Sequence, residues 1–128
     1  EPITFYGPNL ERGESDALFE VRNARNVRVF GTKSEPGTTF GLFVNSNNIF
    51  FGGFTSHPTW TPGRSMLEFV DSNNVIAANV DVFRGFHQNQ INYGPMLKET
   101  FGGQTFSIAG KDNVGLFRRG SFDATVFG

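Results

Sequence analysis

The sequence predicts an all-β chain that coils as a parallel solenoid, because its composition favours strands and one pattern of strands recurs. Its 128 residues include 16 Gly and 6 Pro, which suits short strands and tight turns better than helices. Four segments align, and each reads as strand, four-residue turn and strand: FEVRNARNVRVFG, GLFVNSNNIFFGG, LEFVDSNNVIAAN and FSIAGKDNVGLFR. No Asn-Gly turn of the antiparallel hairpin type joins their strands, so parallel stacking is the preferred interpretation.

The alignment assigns the apolar residues of each unit to inward-facing columns. Alternation along a strand puts every second side chain on the same face. The opening PITFYG matches the second half of a unit, and the later steps are 22, 26 and 39 residues, the last leaving room for an inserted loop. The predicted columns are Phe19/Gly41/Leu67/Phe106, Val21/Phe43/Phe69/Ile108, Val27/Ile49/Val75/Val114 and Val29/Phe51/Ala77/Leu116.

Asparagine recurs at the predicted bends between strands. Asn, Asp and Gly tolerate the left-handed backbone that a sharp bend requires, and stacked Asn amides can hydrogen-bond along a column. A calcium site is the alternative, but these bends supply a single carboxylate. The asparagines are therefore predicted to form a structural ladder, in the columns Asn23/Asn45/Asp71/Gly110 and Asn26/Asn48/Asn74/Asn113.

A family resemblance follows from the units VRNARNVRVFGTKSE, VNSNNIFFGGFTS and VDSNNVIAANVDV. They resemble coils of right-handed parallel β-helix proteins of the pectin-lyase-like superfamily, over most of residues 1–84 and again over 105–118. Members are mostly secreted polysaccharide lyases, glycoside hydrolases and epimerases, along with phage tailspikes and adhesins. The resemblance therefore implies a secreted or extracellular carbohydrate-active protein, although no catalytic motif of one family matches residue by residue.

The domain organisation is expected to be a single β-helix domain over residues 1–128, with about 22–26 residues per coil. Because the chain begins in the middle of a unit, its first strands would present open edges. We therefore expect it to be the C-terminal part of a longer β-helix, one fragment of a cleaved chain, or a protomer that stacks on another. The closing SFDATVFG is expected to be a terminal strand.

Charge and cysteine content exclude several classes of function. The 11 Lys and Arg residues are matched by 12 Asp and Glu, whereas a nucleic-acid binder normally has a basic excess. The longest apolar runs are too short to span a membrane. With 0 Cys, disulfides and zinc–thiolate sites are excluded, and no metal or cofactor is predicted.

Two segments outside the repeat, 56–65 and 84–103, are predicted to be loops inserted between coils. They contain the single Trp and both His residues, and loops that leave a rigid scaffold commonly carry function. Their aromatic rings are expected either to stack on sugars or to fold back over apolar strands. The predicted substrate-binding residues are Trp60, Tyr93, Arg64, Arg84 and His87.

Two outward-facing columns predict a catalytic face beside these loops. The columns read Asn9/Lys33/Thr55/Asp81 and Glu11/Glu35/His57/Phe83. Alternation predicts that Lys33, Glu35, His57 and Asp81 lie within about 5–10 Å of one another. Two carboxylates would suit hydrolysis, and a Lys or His base would suit β-elimination. The alternative is a solvated face of mixed charge.

The leading functional hypothesis is part of a secreted polysaccharide hydrolase or lyase that binds a polysaccharide or oligosaccharide. The alternative is a non-catalytic carbohydrate-binding, adhesin-like or structural solenoid. Outward apolar side chains also indicate a covering loop, a missing chain segment or a partner. These are Val44, Val70, Phe50 and Ile76.

Overall fold

The computed structural model describes residues 1–11, 16–35, 38–56, 64–82, 94–109 and 113–128. Over these ranges the chain forms 12 strands in two sheets, followed by a one-turn 3-10 helix at Ala124–Phe127. Most strand pairs are parallel. The prediction of an all-β chain with parallel sheets is confirmed.

The chain alternates between the two sheets as it advances. Sheet A contains β1 (Ile3–Tyr6), β2 (Asn9–Glu11), β4 (Arg25–Phe30), β5 (Lys33–Glu35), β7 (Asn47–Ser56), β9 (Asn73–Val82) and β12 (Val114–Arg119). Sheet B contains β3 (Ala17–Arg22), β6 (Thr39–Val44), β8 (Leu67–Val70), β10 (Leu97–Phe101) and β11 (Gln104–Ile108). Each sheet therefore gains one strand, or two in line, with every repeat.

The strand registers confirm the alignment of the first three units. In sheet A, Val27 pairs with both Ile3 and Ile49, and Ile49 pairs with Val75. In sheet B the predicted columns Phe19/Gly41/Leu67 and Val21/Phe43/Phe69 are in register. The spacing between identical positions of the first units is therefore the one that the sequence predicts.

The fourth unit was predicted wrongly. Leu67 pairs in parallel with Leu97, and Phe106 lies on β11, which runs antiparallel to β10. Val114 pairs with Val80 rather than Val75, since β12 runs antiparallel to β9. The two-residue turn Gly102-Gly103, with φ of 57° and 80°, reverses the chain and ends the parallel stacking.

Two boundaries also differ from the prediction. Residues 97–101 form β10, so the segment 84–103 is not a loop at its C-terminal end. The closing residues are not a strand, because Ala124–Phe127 form the 3-10 helix capped by Asp123. The Asp123 side chain accepts a hydrogen bond from the Thr125 backbone nitrogen at 2.9 Å, which favours a helical turn over an extended strand.

The core between the sheets is largely aromatic. The Phe43 and Phe69 rings stack with centroids 5.0 Å apart, and Phe69 stacks on Phe117 at 5.8 Å. Burial of each such ring stabilises the fold by about 1.5–3 kcal/mol. The largest fully buried side chains are Phe40, Phe43, Phe51, Phe54, Phe69, Ile49, Leu67, Met96, Leu97, Val29, Val75 and Val80.

The asparagines at the bends adopt the predicted left-handed backbone, with φ between 47° and 61° at Asn23, Asn26, Asn45, Asn48, Asp71 and Asn74. The Asn45 Nδ2 donates to Asn23 Oδ1 at 2.8 Å, and the Asn48 Nδ2 donates to Asn26 Oδ1 at 2.9 Å. The ladder prediction is confirmed for these pairs. Asn74 instead donates to Asn47 Oδ1 at 3.1 Å.

Candidate functional site

The predicted column of polar residues on sheet A is present in the structure. Asn9 pairs with Lys33, Lys33 with Thr55, and Thr55 with Asp81, and all four residues are exposed. The alternate residues Phe54 and Val80 point inward and are buried, which holds Thr55 and Asp81 outward. We call this column the polar row.

The second predicted column is described only at its first positions. Glu11 pairs with Glu35 in β2 and β5, and the remaining members, His57 and Phe83, lie outside the described residues. Glu35 lies two residues along the chain from Lys33 and two strands across from Asp81. Strand geometry then separates the Cα atoms of Glu35 and Asp81 by about 12 Å. The predicted separation of about 5–10 Å between the site side chains stays a prediction.

Of the other predicted site residues, the structure describes Arg64 alone. His57, Trp60, Arg84, His87 and Tyr93 lie outside the described residues. The Arg64 Nη2 donates to Asp16 Oδ1 at 3.1 Å, and both side chains are largely exposed. An exposed ion pair of this kind contributes about 0–1 kcal/mol. Arg64 therefore has a protein partner in this structure, and its predicted role in substrate binding stays a prediction.

A row of outward aromatic side chains on sheet A was only partly expected. Tyr6 is 75% exposed and stacks on Phe30, with centroids 5.7 Å apart and an interplanar angle of 13°. Phe30 contacts Phe50 at 5.1 Å. Phe50 lies over Gly52, where a Cβ would come within 2.7 Å of the ring. The signal for Tyr6 and Phe30 is their shared position in the aligned segments TFYG and VRVFG.

The Glu99 carboxylate is buried at the end of the core column Val21/Phe43/Phe69. Glu99 is 2% exposed, and its register places it next to Phe69. Its carboxylate accepts two hydrogen bonds from Arg119, at 2.9 Å from Nε and 2.6 Å from Nη2. These bonds raise the pKa of Arg119, although partial burial opposes the shift. The pair neutralises a charge inside the core and is an interaction of the fold rather than a candidate reaction centre.

Arg119 also makes a cation–π contact with Phe101. Its guanidinium lies 4.6 Å from the centroid of Phe101, so the cation contacts an aromatic face as well as the carboxylate. The repeat did not predict this pair, because Glu99 was assigned to a loop. The signal that would have found it is the match of LKETF to the inward-facing pattern of LEFV.

Metal and membrane features were searched over the described part of the chain. No group of three or more His, Asp or Glu side chains there is arranged to hold a metal ion. In the same ranges, no helix has the length and apolar character needed to cross a membrane.

Comparison with known proteins gives no relative for this chain. No protein-family model matches it, and neither curated proteins nor solved structures give a significant match. The functional proposal therefore depends on the residues and geometry of the chain itself.

Proposed function

We propose that the chain forms coils of a right-handed parallel β-helix that bind a polysaccharide along the polar row. The observation that carries this proposal is the register, which brings Asn9, Lys33, Thr55 and Asp81 into one exposed line. Adjacent members are about 4.8 Å apart. Their amide, ammonium, hydroxyl and carboxylate groups supply both donors and acceptors, as a ligand rich in hydroxyl groups requires.

The β-helix assignment is supported by three features of the described residues. Strands of sheets A and B alternate along the chain, and equivalent strands pair in parallel one unit apart. Asparagines at left-handed bends join the two sheets. A coil that advances by one strand spacing per turn has these properties.

Binding is preferred to catalysis because the polar row is exposed to water. Catalytic groups depend on preorganised surroundings from which water is largely excluded. The described members of the row are all on the outer surface of sheet A. An exposed row of hydrogen-bonding groups is better suited to holding a chain of sugars than to cleaving one.

Polysaccharide cleavage is the second candidate, and the positions of Glu35 and Asp81 favour it. Inverting glycosidases use two carboxyl groups about 6.5–9.5 Å apart, and the strand registers place Glu35 and Asp81 on neighbouring parts of sheet A. Elimination would instead use Lys33 or His57 as the base. Under either version the protein acts outside the cell, alongside further coils or another chain.

The binding proposal is tested by comparing Lys33→Ala with Lys98→Ala on a panel of immobilised polysaccharides. Lys98 lies on the outer side of sheet B, so it provides the same change away from the polar row. Loss of one charged hydrogen bond is expected to weaken binding about tenfold or more in Lys33→Ala. Lys98→Ala should bind as the unmodified chain does. Unchanged binding after combined replacement of Lys33 and Asp81 by Ala would refute the proposal.

Cleavage is tested separately by product analysis. Release of reducing ends indicates hydrolysis, and unsaturated products that absorb ultraviolet light indicate elimination. Either product should disappear in Glu35→Gln or Asp81→Asn. Retained binding without product, together with loss of binding in Trp60→Ala, would favour the non-catalytic version.

A further inference from the structure

The last residues of the chain lie on the outside of sheet A and not at the end of the stack. We call residues 120–128 the C-terminal segment. It runs back from the third unit towards the first, over a surface formed by Asn74, Asn48, Phe50 and Arg28. We call this surface the docking strip.

Asparagine side chains of the docking strip bind the main chain of the segment. The Ser121 backbone nitrogen donates to Asn74 Oδ1 at 2.9 Å. The Asp123 backbone nitrogen donates to Asn48 Oδ1 at 2.7 Å, and Asn48 Nδ2 donates to the Asp123 carbonyl oxygen at 3.0 Å. Alternate residues of an extended segment are thus bound through their main-chain atoms by asparagine side chains.

Aromatic contacts give the docking strip a preference for certain side chains. Phe122 lies between the two main-chain contacts and packs on Phe50, with centroids 5.8 Å apart. Phe122 also stacks on Phe127 at 5.8 Å, and the Arg28 guanidinium lies 4.1 Å from the Phe127 centroid. These contacts cover Phe50, one of the outward apolar residues for which the sequence predicts a covering element.

The segment has few buried side chains. Its residues are exposed apart from Phe122 and Phe127, which are half-buried. It begins at Gly120, whose φ of 71° makes a turn where a Cβ would come within 2.6 Å of Asn74 Oδ1. Segments with few buried contacts open locally at a small fraction of the global unfolding free energy.

We propose that the docking strip is a peptide-binding groove and that the C-terminal segment is its displaceable ligand. The groove takes an extended peptide with an aromatic residue between two main-chain contacts. The partner with this chemistry is the C-terminal segment of a second copy of the chain. A displaced segment and an empty groove then allow two copies to exchange segments.

A free peptide must compete for the docking strip with the C-terminal segment, which is part of the same chain. A ligand joined by a short linker has an effective concentration of the order of mM. A free peptide therefore binds with an affinity reduced by the fraction of chains whose groove is open. Weakening the resident segment by Phe122→Ala should open the groove without changing its surface.

The test uses a fluorescent peptide with the sequence of residues 120–128 and measures anisotropy against the full chain. The Phe122→Ala chain is expected to bind the peptide at least about tenfold more tightly than the unmodified chain does. A peptide in which Phe122 is Ala should not bind. Equal binding of the peptide to both chains, or none to either, would overturn the proposal.

Asn48→Gly, in the Phe122→Ala background, tests the groove itself. Glycine keeps the left-handed backbone of Asn48, whose φ is 61°, and removes the amide that contacts Asp123. Asn45→Gly is the matched control, because Asn45 has a φ of 49° and bonds Asn23 instead. Peptide binding should be lost in Asn48→Gly alone, and equal loss in both would contradict the proposal.

A spectroscopic measurement avoids any dependence on the fold of the Asn48 variant. In the Phe122→Ala chain, added peptide should shift the side-chain amide resonances of Asn48 and Asn74 and leave those of Asn23 and Asn45 in place. Shifts at both pairs, or at neither, would overturn the assignment of the groove.

Discussion

At the residue scale, the backbone of this fold contains a third column of residues with left-handed conformation. Gly7, Gly31 and Gly53 have φ of 57°, 66° and 72°, and the equivalent position in the next unit is Asn79, with φ of 53°. Asn is the commonest substitute for Gly in this conformation. The column separates β1 from β2 and β4 from β5, and it lies within the longer strands β7 and β9.

Replacement of Asn79 tests how much the left-handed backbone at this position changes the free energy of unfolding when another residue must adopt it. Asn79→Ala is expected to destabilise the fold by about 1–2 kcal/mol, because Ala is strained at positive φ and the exposed side chain has little else to lose. Asn79→Gly should leave the stability within about 0.5 kcal/mol of the original. Urea unfolding measures both. Asn9→Ala, at an exposed position of β2, is the control.

If Asn79→Ala and Asn9→Ala had the same unfolding free energy, the left-handed conformation would contribute nothing, and the side chain alone would matter. If Asn79→Gly were as damaging as Asn79→Ala, the Asn79 amide would have a role in the fold that its exposure does not indicate.

At the element scale, the fourth unit shows that the alternation of apolar residues does not predict the direction of a strand. FSIAGKDNVGLFR has apolar residues at every second position and an Asn between its strands, as the first three units do. Alternation is the same whether a strand runs parallel or antiparallel to its neighbour, so it cannot decide direction. The Gly102-Gly103 pair carried that information, because it forms the two-residue turn of a hairpin.

The 3-10 helix gives the C-terminal segment a dependence on pH. The Thr125 hydroxyl and backbone nitrogen both donate to the Asp123 carboxylate, and these bonds lower the pKa of Asp123 below its ordinary value of 3.8. A lowered pKa in the folded state stabilises the helix at pH values above 3.8, and the contribution is lost as the pH falls through the folded pKa.

We therefore expect the Thr125 amide to exchange with solvent faster as the solution is acidified below about pH 4. Comparison of exchange rates must be corrected for the intrinsic effect of pH. Asp123→Asn keeps a capping side chain without a titrating group, and it should show no such loss. An equal loss in both proteins would exclude Asp123 as the cause.

At the scale of the whole molecule, the sequence predicted the repeating part of the fold and not its end. The registers of the first three units follow from alternation and from the asparagines, both of which are local signals. The ion pair joins β10 to β12, and its residues Glu99 and Arg119 lie 20 residues apart in the sequence, on either side of the hairpin strand β11. A contact that depends on chain reversal is not visible in a pattern of period two.

The candidate site divides in the same way. The polar row was predictable because the aligned units bring Lys33, Thr55 and Asp81 to equivalent positions, and strand alternation then turns all three to one face. The docking strip was not, since it forms only when the C-terminal segment folds back over the third and second units. Phe50 was identified as needing a cover, but nothing in its own segment names Phe122 as that cover.

Local stability is expected to rise across sheet A from β1 to the strands that are paired on both sides. In the described structure β1 pairs with β4 alone, and Ile3 and Tyr6 are 48% and 75% exposed. β7 pairs with strands on both sides and contributes the buried Ile49 and Phe51. Local opening of a strand with one neighbour and few buried residues costs less than global unfolding.

Native-state hydrogen exchange tests this gradient. Amides of β1 should exchange through local opening, those of β4 more slowly, and those of β7 and β9 near the global unfolding free energy. Tyr6→Ala should speed exchange in β1 and leave β9 unchanged. Equal free energies of exchange in all four strands would mean that the molecule opens as one cooperative unit.

The side-chain hydrogen bonds of the asparagine ladder all point in the same direction along the chain. In each confirmed pair the amide of the later unit is the donor and that of the earlier unit is the acceptor. An Asn can extend such a series in both directions, whereas an ionised Asp can only accept. Asp71 accepts from the Gly102 backbone nitrogen at 3.3 Å, at the hairpin where parallel stacking ends. A carboxylate has no N–H to donate to Asn45, so the hydrogen-bonded series of the Asn23/Asn45 column ends before Asp71.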